Sequence, residues 1–195
     1  MDQESIYGNH LDEMNRIMEG LVKRIRAGAS ELKEKNGMEP VEHLKYRIKS
    51  EESMREKCRR NNLPETEESA LNCLFDAIGL RIVCSFLDDV YAVRDYIASQ
   101  HDIEVICEKD YIRNVKPNGY RSLHMIVRFQ GYYEEIQIRT ISMDTWAALE
   151  HHMKYKKNIS GNTGLIFEEL KRCADELAST DASMQTLRNL INGEG

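Results

Sequence analysis

The stretch KPNGYRSLHMIVRFQGYYEEIQIRT, residues 116–140, holds two runs that alternate apolar and polar residues, joined by a short turn at Gly131. Alternation of period two puts residues i, i+2 and i+4 on one side of a strand. Leu123, Met125, Val127 and Phe129 therefore face a core, and Tyr120, Ser122 and His124 face away from it. In the second run Ile136 and Ile138 face the core, while Tyr133, Glu135, Gln137 and Arg139 share the opposite side. The short connection implies a hairpin, which merges the two polar faces into one surface. A face meant only for water favours Lys, Glu and Thr. This one offers an aromatic ring, an imidazole, a carboxylate, an amide and a guanidinium, a set suited to stacking, hydrogen bonding and proton transfer.

Working outward, GLRIVCSF (79–86) alternates in the same way, with Arg81 on its polar side, and IEVICEKD (103–110) is a further strand candidate. Helical spacing of Leu11, Met14, Ile17, Met18, Leu21, Val22 and Ile25 predicts an amphipathic helix over about 5–29. A second helical segment is expected to begin near Pro40. A short helix is expected in TEESALNCLFD, capped by Thr66, another after Asp88 and Asp89, and one capped by Ser142. Beyond ISGNTG, the apolar spacing predicts one long or two short helices over about 164–191. The order points to a mixed α/β fold, one domain over 1–195, with a largely antiparallel sheet of four or five strands. Clean alternation leaves at least one sheet face polar rather than covered by helices.

Composition narrows the function. With 41% hydrophobic and 31% charged residues, the 195-residue chain matches an ordinary globular protein. No apolar run approaches the roughly 20 residues that span a bilayer, and the acidic N-terminus is unlike a signal peptide, so a cytoplasmic location is expected. Five widely spaced cysteines without a C-x-x-C pair suggest neither a disulfide framework nor a zinc site. A net charge of −6 argues against general nucleic-acid binding. Yet residues 43–60 carry Lys45, Arg47, Lys49, Arg55, Lys57, Arg59 and Arg60, and residues 111–133 carry basic residues and no acid. Two basic islands in an acidic chain fit a small polyanion such as a nucleotide. There is no P-loop and no G-x-G-x-x-G, so side chains must hold the phosphates. The basic segment supplies Arg47, Lys49, Ser53 and Lys57 at helical or near-helical spacing. Asp76, just before a strand, and Glu135 are two carboxylates that could share a Mg²⁺ with phosphate oxygens.

PVEHLKYRIKSEESMREKCRR, FDAIGLRIVCSFLDDVY, DYIRNVKPNGYRSLHMIV and EEIQIRTISMDTWAALEHHMKYK, together covering about 40–157, resemble the RelA/SpoT-type alarmone synthetases, especially their small single-domain branch. The resemblance implies a nucleotidyltransferase-like synthetase fold. It also implies transfer of the β,γ-pyrophosphate of ATP to the ribose 3′-hydroxyl of GDP or GTP, giving (p)ppGpp in the stringent response, with Mg²⁺ as cofactor. By that resemblance Arg47 and Arg81 sandwich adenine, and Lys49, Ser53 and Lys57 hold ATP phosphates. Asp76 ligates the metal, and Glu135 activates the 3′-hydroxyl and can also contact the metal. Tyr120 stacks on guanine, Lys116, His124 and Gln137 line the acceptor's phosphate and ribose, and Asp144 accepts from the guanine edge. No separate hydrolase domain is expected, whereas a homotetramer and an allosteric alarmone site are family features. Two alternatives remain: a toxin that pyrophosphorylates adenine nucleotides or tRNA, and an inactive nucleotide sensor. The presence of both Asp76 and Glu135 speaks against the sensor.

Overall fold

The computed structural model of the chain describes residues 4–155 and 163–193. Helix α1 (Leu11–Asn36) buries Met14, Ile17, Met18, Leu21, Val22 and Ile25 along one face, as the spacing requires, and runs past the expected end. Gly37 stops it at φ 71°, its N–H donating to the Lys33 carbonyl, the left-handed closure glycine adopts without penalty. Strand β1 (Val41–Ile48) follows. The helix expected from Pro40 is therefore corrected: Leu44 and Ile48 pack on the core while Arg47 shares the other face, and β1 pairs antiparallel with β2 (Ile78–Cys84). Of the basic residues in this segment, Lys45 and Arg47 belong to an exposed edge strand, a common way of blunting a sheet edge, and those from Arg55 on belong to the helix that follows.

Helix α2 (Glu51–Arg60) begins only after Lys49, with the Ser50 side chain accepting from the Ser53 N–H. The expected short helix is a single π-helical turn, Ser69–Cys73, and Thr66 does accept from the Ser69 N–H. Helix α3 (Leu87–Ala98) and strands β3 (Ile103–Asp110), β4 (Leu123–Phe129) and β5 (Tyr132–Thr140) complete the sheet. Helix α4 (Ile141–Tyr155) is capped by Thr140, whose hydroxyl accepts from the Met143 N–H, rather than by Ser142. Helix α5 (Thr163–Asn192) is one long helix. The expected end of the core at Lys157 lies outside the described residues.

The sheet order is β1-β2-β5-β4-β3, antiparallel except for the parallel pair β2/β5. Helices α1 and α3 pack on the face formed by Ile78, Leu80, Ile82, Met125, Val127, Ile136 and Ile138. Glu134 sits on that apolar face, fully buried, and among the described residues neither of its carboxylate oxygens has a hydrogen-bond partner. The opposite face stays open over β2 and β5. Helix α5 is anchored beside it by a buried ion pair, Arg188 to Asp89 at 2.7 Å, and by Arg121 to Asp175 at 2.7 Å. Gly119, at φ +88°, lies under α5, where an added Cβ would come within 2.7 Å of the Ala174 Cβ.

Candidate active site

The ladder register sets polar residues in rows across the open face. Lys45, Arg81, Gln137, His124 and Lys109 are neighbours on successive strands, and so are Arg47, Gly79 and Glu135 in the next row. Gly79 leaves a gap between Arg47 and Glu135 that any side chain would occupy. A cleft of about 530 Å³ opens there, lined by Arg47, Lys49, Asp76, Arg81, Tyr120, Glu135 and Gln137, with α4 closing one side. A second cavity of about 230 Å³ is lined by Lys109, Tyr111, Lys116, His124 and Glu135. Glu135 belongs to both walls. Two recesses thus meet at one carboxylate.

Asp76 is held at the floor of the larger cleft. Its Oδ2 lies 2.5 Å from Lys49 Nζ and 2.6 Å from Lys57 Nζ. Burial pushes this carboxyl up, but the two ammonium groups outweigh it and leave the pKa below the ordinary value. Its Oδ1 is buried and has no hydrogen-bond partner among the described residues. Glu135 is also held below the usual carboxylate range, first by hydrogen bonding to His124, against burial and the repulsion of nearby Asp76. Its Oε1 lies 3.5 Å from His124 Nδ1, and its Oε2 accepts from Gln137 Nε2 at 3.1 Å. Among the described residues no three His, Cys, Asp or Glu side chains gather into a protein-only metal site. Mg²⁺ commonly takes one or two carboxylates and completes its shell with water and substrate phosphates. The unpaired Asp76 Oδ1 beside Glu135 fits that donor set.

Tyr120 is presented by the turn before β4. Asn118 Oδ1 accepts from its N–H at 3.2 Å, and its hydroxyl lies 2.8 Å from His124 Nε2. Lys116 Nζ sits 5.0 Å from its ring centre and 4.2 Å from that of Tyr111. Ser122, expected on the open face, is fully buried beneath it and accepts from Arg139 Nε at 3.3 Å. Arg47 and Lys49 reach the cleft from β1 and the residue after it, and only Ser53 and Lys57 ride on α2. Ser53 is exposed on the first helical turn and lies outside both sets of lining residues. Asp144 is 8% exposed and engaged with arginines, Arg139 at 3.2 Å and Arg81 at 3.3 Å. That position leaves little of it to face a guanine edge. Burial and the neighbouring Arg139 push Arg81 below its ordinary pKa, which Asp144 offsets.

Arg139 lies on the face that strand parity gives it, but it carries a role the sequence does not assign: it is buried and links Asp144, Gln137 and Tyr120. Lys109, Tyr111 and Asn118 carry no local pattern that marks them, because only the fold brings β3 and the following loop against β4.

Residues 46–160 match the family model described as the region found in RelA/SpoT proteins. The GTP pyrophosphokinase YwaC of Bacillus subtilis is 36% identical over 205 residues, covering 94% of this chain and 97% of that protein. The crystal structure of small alarmone synthetase 2 from Bacillus subtilis superposes with a TM-score of 0.81 at 35% identity, over 93% of this chain and 98% of that one. Small alarmone synthetase 1 from the same organism, bound to its product pppGpp, gives 0.80 at 28% identity over 92% and 94%.

Proposed function

The chain belongs to the RelA/SpoT family, and we propose that it is a GTP pyrophosphokinase, moving the β,γ-pyrophosphate of ATP to the 3′-hydroxyl of GDP or GTP to make (p)ppGpp. The observation that carries this reading is the position of Glu135 in the wall common to two recesses, one lined by Arg47, Lys49, Asp76 and Arg81 and the other by Lys116 and His124. ATP occupies the Arg47 and Arg81 side of the larger recess, and the Tyr120 and Gln137 wall of the same recess is left to the acceptor. Arg47 and Arg81 stack on adenine, a use of planar guanidinium that lysine cannot match. Lys49 and Lys57 hold the phosphates as point charges, with Ser53 at the start of α2 as a further donor.

Guanine stacks on Tyr120, while Lys116, His124 and Gln137 line its phosphate and ribose. The acceptor 3′-oxygen attacks the β-phosphorus, the bridge to the α-phosphate breaks, and AMP leaves. Such transfers depend on positioning and charge neutralisation more than on a covalent nucleophile. Glu135, ionised at neutral pH, takes the 3′-hydroxyl proton, so its power comes from placement rather than from a raised pKa. Asp76, assisted by Glu135, would hold Mg²⁺, which supplies charge neutralisation at the transferring phosphates.

We place this reaction in the cytoplasm, where ATP and GTP are made and used. Among the described residues no helix is long and apolar enough to cross a membrane. We also assign the enzyme a homo-oligomeric state, a tetramer by family resemblance. The exposed Leu187, Leu190 and Ile191 on α5 support that assignment. The test of function is incubation with Mg²⁺, labelled ATP and, separately, GMP, GDP, GTP, AMP and deacylated tRNA. Label should pass to guanine nucleotides with release of AMP. Transfer to none of them refutes the reading.

A further inference from the structure

Beneath the cleft, two arginines share one carboxylate oxygen. Asp144 Oδ1 lies 3.3 Å from Arg81 Nη1 and 3.2 Å from Arg139 Nη1. Arg139 is 3% exposed, and its other donors reach Tyr120 Oη at 2.7 Å, Gln137 Oε1 at 2.8 Å and Ser122 Oγ at 3.3 Å. A guanidinium is a rigid plane with fixed donor directions, so the contact to Tyr120 and the contact to Asp144 move together. Arg81 lines the larger cleft and keeps 38% of its side chain exposed, so it is free to respond to a ligand. The repulsion between Arg81 and Arg139 is held in check by Asp144.

We propose that Asp144 and Arg139 are positioning residues that tie the adenine clamp to the guanine platform, making the binding of the two nucleotides interdependent. This rests on the assignment of Arg81 to ATP and of Tyr120 to the guanine acceptor. A base stacking on Arg81 changes its hold on Oδ1. Arg139 shares that oxygen and reorients, and the Tyr120 hydroxyl follows. The same contacts carry the effect in the opposite direction, because coupling between two binding equilibria is reciprocal. In this arrangement Asp144 acts on adenine through Arg81 and on guanine through Arg139, touching neither base. A purely structural ion cluster would stabilise the junction of β5 and α4 without linking the two affinities.

The test measures the Kd for GDP by titration calorimetry, with Mg²⁺, in the presence and absence of saturating α,β-methylene ATP. The methylene replaces the bridge that the reaction breaks, so no transfer intervenes. In the wild-type protein the two Kd values should differ by about fivefold or more, and the analogue's own Kd should shift by the same factor when GDP is present. Tyr120→Phe keeps the ring and removes only the hydroxyl that Arg139 grips, so the ratio should fall toward one. Asp144→Asn should do the same. Tyr120→Phe keeps the proposal testable if the Asp144 variant folds poorly. A wild-type ratio of one, or a wild-type-like ratio in Tyr120→Phe, overturns the relay. Failure of the wild-type protein to bind any guanine nucleotide instead refutes the functional reading.

Discussion

Replacing Glu134 with leucine should stabilise the protein, and by more at each higher pH up to about 8. The side chain is fully buried on the core face of β5, between Ile78 and Val127 on the flanking strands, and both carboxylate oxygens lack partners among the described residues. Burial alone pushes its pKa up from 4.5 to about 8. In the unfolded chain the group ionises near 4.5, so between these values the folded state binds more protons than the unfolded one. Stability therefore falls as pH rises from about 4.5 to about 8 and levels off above. Each unit corresponds to about 1.4 kcal/mol, so Glu134 costs about 4 kcal/mol at pH 7.5 relative to acid conditions. That is a large part of the roughly 5–15 kcal/mol of a typical domain.

The assay is urea denaturation of wild type and Glu134→Leu at unit pH steps from 5 to 9, comparing midpoints at constant m. Other groups titrate over this range, but they are common to both proteins and cancel in the difference. The gap should widen by about 1.4 kcal/mol per pH unit and flatten beyond pH 8. Parallel curves across that range would refute the assignment of a neutral, buried Glu134.

Glu135→Gln should reduce transfer at least about a thousandfold while calorimetry still detects both nucleotides; turnover near wild type removes its role as proton acceptor. Because His124 holds Glu135 below 4.5, its protonation should give no acid limb in kcat between pH 6 and 8. A limb in that window that vanishes in Glu135→Gln contradicts the assignment. Tyr120→Ala should raise the KM for the guanine acceptor about tenfold or more, corresponding to a stacking loss of about 1–3 kcal/mol, and an effect confined to ATP would contradict the stacking. Gly119→Ala forces a Cβ toward Ala174 at positive φ, and should cost about 1–3 kcal/mol of stability, read from the urea midpoint. An unchanged midpoint would show that α5 yields freely.

The face assignments of β4 and β5 were legible in the sequence because strand parity is a strict geometric rule. Glu135, Gln137 and Arg139 emerge on one side as expected. The nature of β1 was not legible. Its residues 43–48 also alternate, but the signal is weak because an edge strand buries little, and Pro40 mimics a helix start. Parity also could not reveal depth: Ser122 and His124 share a face, yet Ser122 is covered by Arg139 while His124 lines a cavity. Asp144 reads as a free carboxylate until Arg81, 63 residues earlier in the chain, is placed beside it by the β2/β5 pairing. Long-range ion pairs of this kind leave no local pattern.

The single parallel seam in the sheet also says something about how the enzyme comes into being. Strands β3, β4 and β5 form a meander of neighbours in sequence, and β1 pairs with β2 across α2 and the π-helical turn, so each half joins strands that are consecutive in the chain. The β2/β5 seam joins the halves and requires closure of a loop of about 50 residues, the slower kind of event in folding. Asp76 and Arg81 come from one half, Glu135, Gln137 and Arg139 from the other. Neither half holds a reaction centre by itself. A nascent or clipped chain would therefore make no alarmone, and activity should appear only once that last seam has closed.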